Sequence, residues 1–128
     1  MAVKFYKCPV CGNVIAKVVD SGVPVVCCGK QMEELVPNTV DASGEKHVPV
    51  VTRISDCKIK VEVGSVTHPM SEEHHIAFIY VEMENGGIRI DLPHDGKPEA
   101  EICVCSGKPV AVYEYCNLHG LWKTELKH

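Results

Sequence analysis

The chain has 128 residues, a formal net charge of −4 and a sequence pI of about 5.9. This acidic balance excludes the basic surface of a nucleic-acid binder. The chain contains no run of about 18 apolar residues, so no membrane span is predicted. Hydrophobic residues make up 45% of the chain and aromatic residues only 5%, so the predicted core is aliphatic and suited to β-sheet. Because the N-terminus lacks the apolar segment of a signal peptide, the sequence predicts a cytoplasmic protein, whose eight cysteines indicate metal ligands or thiols rather than disulfides.

Residues 1–37 are predicted to form a small metal-binding domain. Cys8-Pro9-Val10-Cys11 supplies one pair of thiolates, Cys27-Cys28 supplies a second, and a glycine follows each pair. Four thiolates this close in sequence predict a sulfur-coordinated metal, because so small a unit usually requires metal to fold. The adjacent pair Cys27-Cys28 is unusual for a zinc ribbon, and the residues alone leave zinc and iron as alternatives.

Residues 38–128 are predicted to form a second domain, after a linker at about 37–41 that is marked by turn residues and small residues. This part of the chain alternates polar and apolar residues in short segments separated by turns, without a long amphipathic helix. Seven strands are predicted: Val48–Ile54, Lys58–Val63, Ile76–Glu84, Ile88–Leu92, Ala100–Cys105, Val110–Tyr115 and Leu121–Leu126. The prediction is therefore an all-β, antiparallel sandwich of immunoglobulin-like type.

Four histidines and one cysteine fall at predicted strand ends and loops. His47 begins a strand, His68 and His74 bracket a loop, and Cys116 and His119 bracket the turn between the last two strands. Loops at one end of a rigid sandwich can converge on a single site. Four imidazoles and a thiolate are too many ligands for an ordinary zinc site, and they favour a redox-active first-row metal, iron first, with one open position.

A thiolate opposite an open metal position directs electron density toward whatever binds there. The predicted small ligand is a reduced dioxygen species, namely superoxide. Since both superoxide and the chain carry negative charge, a local cation must guide the anion. Lys46, beside His47, is the candidate for this role.

Two further side chains near these motifs are not predicted to bind the metal. His75 follows His74 directly, and the spacing favours His74 as the ligand. Trp122 follows the turn at Cys116 and is predicted to be a core residue, with a wall of the metal site as the alternative.

Three cysteines lie outside both predicted sites. Cys57 shares a predicted strand face with Ile59 and is expected to be a buried small hydrophobe. Cys103 and Cys105 lie two apart on one predicted strand, where parallel side chains are not expected to form a disulfide. A redox-sensing role for these cysteines is the minor alternative.

Taken together, the motifs resemble those of the desulfoferrodoxins, a family of two-iron superoxide reductases. The resemblance covers nearly the whole chain. It rests on Cys8-x-x-Cys11 with Cys27-Cys28, Glu45-Lys46-His47-Val48-Pro49, His68-Pro69-Met70, His74 followed by Ile76, and Tyr115-Cys116-Asn117-Leu118-His119-Gly120.

The resemblance implies a desulforedoxin-like domain with a four-cysteine iron centre, followed by the immunoglobulin-like domain with a catalytic iron, and neither haem nor flavin. It implies one-electron reduction of superoxide to hydrogen peroxide without dioxygen release, a rubredoxin-type electron donor and a homodimer. The ligands it implies for the first iron are Cys8, Cys11, Cys27 and Cys28. The ligands it implies for the second iron are His47, His68, His74, His119 and axial Cys116. It also implies that Glu45 occupies the sixth position in the oxidised state and that Lys46 assists reduction. A non-enzymatic iron electron carrier and a structural zinc module are the alternatives.

Overall fold

The computed structural model describes residues 3–126. Its internal contacts divide the chain into two compact units, with the division between Val36 and Pro37. Within residues 3–126, none of the helices has the length and apolar character that crossing a bilayer requires.

The N-terminal unit is built from very short antiparallel strands. They are β1 (Phe5–Lys7), β2 (Val14–Ala16), β3 (Val26–Cys27), β4 (Lys30–Gln31) and β5 (Glu33–Leu35). Strand β1 lies between β2 and β5, and β3 pairs with β4. Among the described residues of this unit, the buried apolar side chains are Phe5, Cys8 and Met32. A core of this size cannot stabilise an independent domain, so the unit depends on its cysteine site.

Over residues 37–126, the C-terminal unit is a two-layer β-structure with one short helix. Its elements are α1 (Gly44–His47), β6 (Pro49–Ser55), β7 (Lys58–Val63), β8 (Ile76–Met83), β9 (Gly86–Asp91), β10 (Glu99–Cys103), β11 (Pro109–Cys116) and β12 (Gly120–Glu125). One sheet has the order β10-β7-β6 and the other the order β12-β11-β8-β9, with antiparallel pairing throughout. The predicted sandwich of seven strands is confirmed.

The aliphatic core lies between these two sheets. On β7 the alternation of the sequence is realised, since Ile59, Val61 and Val63 are buried and the intervening side chains are not. Strand β11 is buried along nearly its whole length because β8 and β12 flank it on both sides. Its last residue, Cys116, is fully buried and is part of the core cluster.

The predicted start of the first sandwich strand at Val48, with His47 leading into it, is wrong. His47 is the last residue of α1, and β6 begins at Pro49. The residue before a proline avoids the helical region, and Val48 accordingly is extended, with φ −69° and ψ 123°. The proline therefore ends the helix immediately after His47 and fixes the direction in which the strand leaves it.

Gly64 fixes α1 against the end of β7. It has a φ of 75°, and a side chain at this position would collide with the Glu45 carbonyl oxygen and the Lys46 backbone. Two donors from the same turn bind that carbonyl: Val66 N at 2.9 Å and Ser65 Oγ at 3.2 Å. Only glycine permits this close approach, which positions the helix that carries Lys46 and His47.

Candidate metal centres

The first candidate centre is a group of four sulfur atoms in the N-terminal unit. The Sγ atoms of Cys8, Cys11, Cys27 and Cys28 all lie within 4.8 Å of one another. Cys28 has a left-handed backbone, with a φ of 53°, and Gly29 continues the turn at 73°. This turn allows the sulfurs of two adjacent residues to face the same point.

The electrostatics of this group indicate a site for a cation. The N–H groups of Cys11 and Val10 each donate to Cys8 Sγ at 3.4 Å, and the Cys11 N–H is the main reason that the Cys8 pKa falls to about 6. The neighbouring sulfurs, Cys11 first, raise the pKa of Cys28 to about 12. Four thiolates cannot all ionise side by side without a positive charge between them, so the donor set fits a thiophilic metal ion.

The second candidate centre is a group of imidazoles and one thiol in the C-terminal unit. The donor atoms of His47, His74, Cys116 and His119 all lie within 4.8 Å of one another. The fifth predicted donor, His68, packs beside this group, with its ring centroid 4.8 Å from that of His47 and 4.6 Å from that of His74. The structure thus brings together residues from α1, two loops and the end of β11.

Backbone carbonyls orient two of these imidazoles. His47 Nδ1 lies 2.6 Å from Ser43 O, and His68 Nδ1 lies 2.6 Å from Pro69 O. Because a carbonyl only accepts, each Nδ1 carries the hydrogen and each Nε2 keeps its lone pair. The Nε2 atoms of His68 and His74 are buried, and neither has a hydrogen-bond partner among the described residues. Such unpaired buried nitrogens fit the binding of a metal ion.

Burial keeps these imidazoles in the neutral form that binds metal. It lowers the pKa of His47 and of His74, and it lowers the pKa of His68 to about 4. The charge of Lys46 contributes to the lowering at His47 and His74, so its ammonium group acts on both rings. Lys46 and Glu45 are themselves exposed on α1.

Cys116 lies in an apolar environment with a buried acid two residues away. Burial raises the pKa of the Cys116 thiol, while the N–H groups of Leu118 and His119 lower it. Glu114 is fully buried, and burial raises its pKa to about 9, so it is a neutral acid at pH 7. The sequence reasoning missed Glu114, although its place on the same face of β11 as Val112 and Cys116 was a readable signal.

Two other residues hold the site together. The sequence reasoning gave Trp122 a place in the wall of the site only as the alternative, and it did not consider Asn117. Trp122 is buried, as predicted, but it also stacks on His47 with ring centroids 4.9 Å apart, and its Nε1 donates to His119 O at 3.1 Å. Asn117 accepts from His75 N at 2.9 Å and donates to Glu73 O at 2.9 Å. These bonds tie the loop that carries His74 to the turn after Cys116.

His75 is turned toward its own loop and lies outside the donor group. Its Nδ1 lies 3.0 Å from Ser71 O and 3.1 Å from Glu72 O. Its ring centroid is 6.1 Å from that of His94. The arrangement agrees with the preference for His74 over His75 as the ligand.

We expect the iron-free protein to lose stability as the pH falls from about 6.5 to about 4. In this range the unfolded chain protonates His68, while the folded state, whose His68 pKa is about 4, does not. Protonation of His68 in the unfolded chain therefore lowers the free energy of unfolding by up to about 3 kcal/mol as the pH falls. Denaturant titrations at pH 7 and pH 4.5, followed by the fluorescence of Trp122, measure the difference.

His68→Gln is expected to reduce this pH dependence, and His94→Gln is the matched control at an exposed position. Trp122 is the only tryptophan of the chain, so its fluorescence reports on the C-terminal unit alone. Equal pH dependence in the two variants would show that burial of His68 is not the cause.

Comparison with known families assigns both units. The desulfoferrodoxin family model matches residues 39–125, and the model of the desulfoferrodoxin N-terminal domain matches residues 2–35. The chain belongs to the desulfoferrodoxin family. This confirms the predicted family, and the two donor groups match the predicted two-iron content.

Individual members of the family are similar over most of the chain. A desulfoferrodoxin of Syntrophotalea carbinolica is 48% identical over 120 residues, which cover 94% of each chain. A superoxide reductase of Pyrococcus abyssi is 36% identical and covers 68% of this chain and 90% of its own. The crystal structure of the superoxide reductase from Treponema pallidum has a TM-score of 0.80 and 33% identity, and covers 98% of this chain and 100% of its own.

Proposed function

We propose that this chain is a superoxide reductase, which converts superoxide to hydrogen peroxide by one-electron reduction and releases no dioxygen. The observation that carries the proposal is the group of imidazoles beside one buried cysteine, with unpaired Nε2 atoms on His68 and His74. Solved structures with the same fold include superoxide reductases of Treponema pallidum and Nanoarchaeum equitans.

We further infer the ligands of each iron and the boundary between the domains. The ligands are His47, His68, His74, His119 and Cys116 for the catalytic iron, and Cys8, Cys11, Cys27 and Cys28 for the second iron. The grouping of the donor atoms supports both sets, and the ring contacts of His68 with His47 and His74 support its inclusion. The division after Val36 supports a boundary near residue 37.

When bound, the catalytic iron supplies the electron that superoxide accepts. The chain itself prepares the site in three ways. Carbonyls hold His47 and His68 in the tautomer that leaves Nε2 available, and burial keeps these rings neutral. His74 and His119 are only half-buried, so a small anion can approach from their side.

Lys46 provides the positive charge on that approach, and it can also hold a proton for the developing peroxide. Its exposure on α1 and its effect on the pKa of His47 and His74 support this role. Glu45, on the same exposed helix, is proposed as a carboxylate that would bind the oxidised iron. A rubredoxin-type electron donor and a homodimer stay predictions from the family resemblance, and a cytoplasmic location stays a prediction from the N-terminal sequence.

Pulse radiolysis of the anaerobically reduced protein tests the proposed activity. We expect superoxide to decay in a fast second-order reaction with the protein, with hydrogen peroxide formed and no dioxygen evolved. A protein that contains both irons and yet leaves superoxide untouched would instead be an electron carrier.

We expect Lys46→Ala to slow superoxide reduction by about tenfold at low ionic strength, because electrostatic steering accounts for factors of about 10 to 1,000 in association rates. Iron content should be unchanged, since Lys46 is not among the grouped donor atoms. The second-order rate constant, measured at several salt concentrations, is the readout.

Lys46→Arg should keep most of the rate because it keeps the charge, and Lys58→Ala is the matched control at another exposed lysine. The difference between Lys46→Ala and the unmodified protein should shrink at high salt. An unchanged rate in Lys46→Ala would remove this residue from the mechanism.

A further inference from the structure

Three cysteines that belong to neither metal centre meet at one place on the sandwich. Cys57 and Cys105 form a disulfide, with their Cα atoms 4.5 Å apart. The thiol of Cys103 is free, and its Sγ lies 3.4 Å from Cys105 Sγ. Cys105 therefore has a sulfur neighbour on each side, and we call these three residues the three-cysteine cluster.

The cluster differs from the sequence prediction because β10 ends earlier than expected and Cys57 lies in a turn rather than on a buried strand face. Cys57 was predicted to be buried on a strand, but it lies in the turn before β7 and is exposed. Strand β10 ends at Cys103, so Cys105 lies in the following turn and its side chain is not held parallel to that of Cys103. This change of direction brings the two sulfurs together.

Backbone contacts hold the cluster in place. Val104, between the two cysteines, is buried, and its N–H donates to Cys57 O at 2.7 Å. Arg53 donates to Ser55 O at 3.4 Å and to Asp56 O at 3.1 Å, which fixes the turn that presents Cys57. The distances between the three sulfurs thus follow from the core and from this turn.

The cluster is accessible and separate from the proposed iron site. All three cysteines are exposed to solvent. His47 precedes β6, whereas Cys57 follows its other end, so the length of this strand, about 20 Å, separates them. The cluster can therefore change its oxidation state without altering a donor to iron.

We propose that the three-cysteine cluster is a thiol–disulfide site that hydrogen peroxide oxidises, with Cys105 as the shared sulfur. Oxidation links Cys105 to Cys57, and Cys103 exchanges with this disulfide. The proposed superoxide reduction produces peroxide, so the source of the oxidant rests on that function, whereas the arrangement of the thiols does not.

The oxidation consumes one peroxide for each disulfide. The Cys105 thiolate attacks one peroxide oxygen, the O–O bond breaks, and the departing hydroxide takes up a proton to become water. Cys57 then attacks the sulfenic sulfur of Cys105, the S–O bond breaks, and a second water leaves. Two thiols have lost two electrons and two protons to one peroxide.

The exchange step needs no further oxidant. The Cys103 thiolate attacks Cys105 Sγ, a bond forms between these two sulfurs, and Cys57 leaves as the thiolate. A dithiol reductant returns either disulfide to the thiol state by the same type of attack.

The test treats the full-length, iron-loaded protein with dithiothreitol, removes the reductant under anaerobic conditions and adds hydrogen peroxide. The protein is then quenched in acid, alkylated under denaturing conditions and analysed by peptide mass spectrometry. We expect a peptide pair linked through Cys57 and Cys105, with Cys103 alkylated, and full reversal by dithiothreitol. If all three thiols remain alkylatable after peroxide treatment, the proposal is wrong.

Single variants separate the roles of the three sulfurs. Cys105→Ser should lose every linkage within the cluster, Cys103→Ser should keep the link between Cys57 and Cys105, and Cys57→Ser should form a link between Cys103 and Cys105. Absence of the last link would overturn the exchange step, and disulfide formation in Cys105→Ser would overturn the shared role of Cys105.

The same variants check folding and keep the two proposals apart. Because the substituted positions are exposed and far from the iron donors, iron content and superoxide reduction should be unchanged in each. Since peroxide is added directly, disulfide formation in the cluster can be measured even if the protein does not reduce superoxide. Likewise, absence of disulfide formation would not contradict superoxide reduction.

Discussion

Cys116→Ser is expected to abolish the visible thiolate-to-iron absorption of the oxidised catalytic centre and to slow superoxide reduction by more than about a hundredfold. Loss of a partner that only supports a metal ligand already costs about 10- to 100-fold in affinity or activity, and Cys116 is proposed as a ligand itself. A serine hydroxyl is nearly isosteric, but it stays protonated and cannot supply a soft anionic donor. The absorption spectrum, the iron content and the rate constant together measure the effect.

The fold should tolerate this substitution, because the change in volume is small and the new hydroxyl costs about 1–3 kcal/mol at a buried site. Cys103→Ser is the matched control, since it makes the same chemical change at an exposed cysteine outside both donor groups. An intact absorption band in Cys116→Ser would show that the thiolate of the catalytic centre comes from another residue.

Cys8→Ser is expected to remove the iron of the N-terminal unit and to unfold that unit alone. Cys8 is one of only three buried apolar side chains among the described residues of the unit, and its sulfur belongs to the four-cysteine group. A structural metal in so small a domain contributes on the order of 10 kcal/mol, far more than this core can replace. Hydrogen exchange should show loss of protection over residues 3–36.

Iron content should fall from two atoms to one per chain in Cys8→Ser, while the C-terminal unit keeps its protection and its reaction with superoxide. Cys103→Ser again serves as the control. Persistent protection of residues 3–36 without metal would contradict the dependence of this unit on its cysteine site.

Periodicity and turn residues predicted most of the sandwich. Strand β7 has the predicted bounds, because its alternation of Lys, Glu and aliphatic residues matches a half-buried strand. The errors fall at strand ends, where a single residue can determine at which position the strand begins or ends. Pro49 converts the expected strand start into the end of α1, and the turn after Cys103 ends β10 early.

Motif spacing identified all the donors that the structure groups, because ligands must lie where loops converge. Motif spacing could not identify tertiary contacts between residues that are far apart in sequence. The stacking of Trp122 on His47 and the bonds of Asn117 join segments far apart in sequence. Glu114 escaped attention because a glutamate inside a strand is normally expected to face solvent, although its two-residue spacing from Cys116 places it on the same buried face of β11.

The two donor groups close chain loops of very different length. The four cysteines lie between residues 8 and 28, whereas His47 and His119, whose rings are 3.1 Å apart at their nearest nitrogens, are separated by 72 positions. The entropy of loop closure is small for the first group and larger for the second. Metal binding in the N-terminal unit therefore joins residues close in sequence, whereas the second donor group is brought together by the strands of the sandwich.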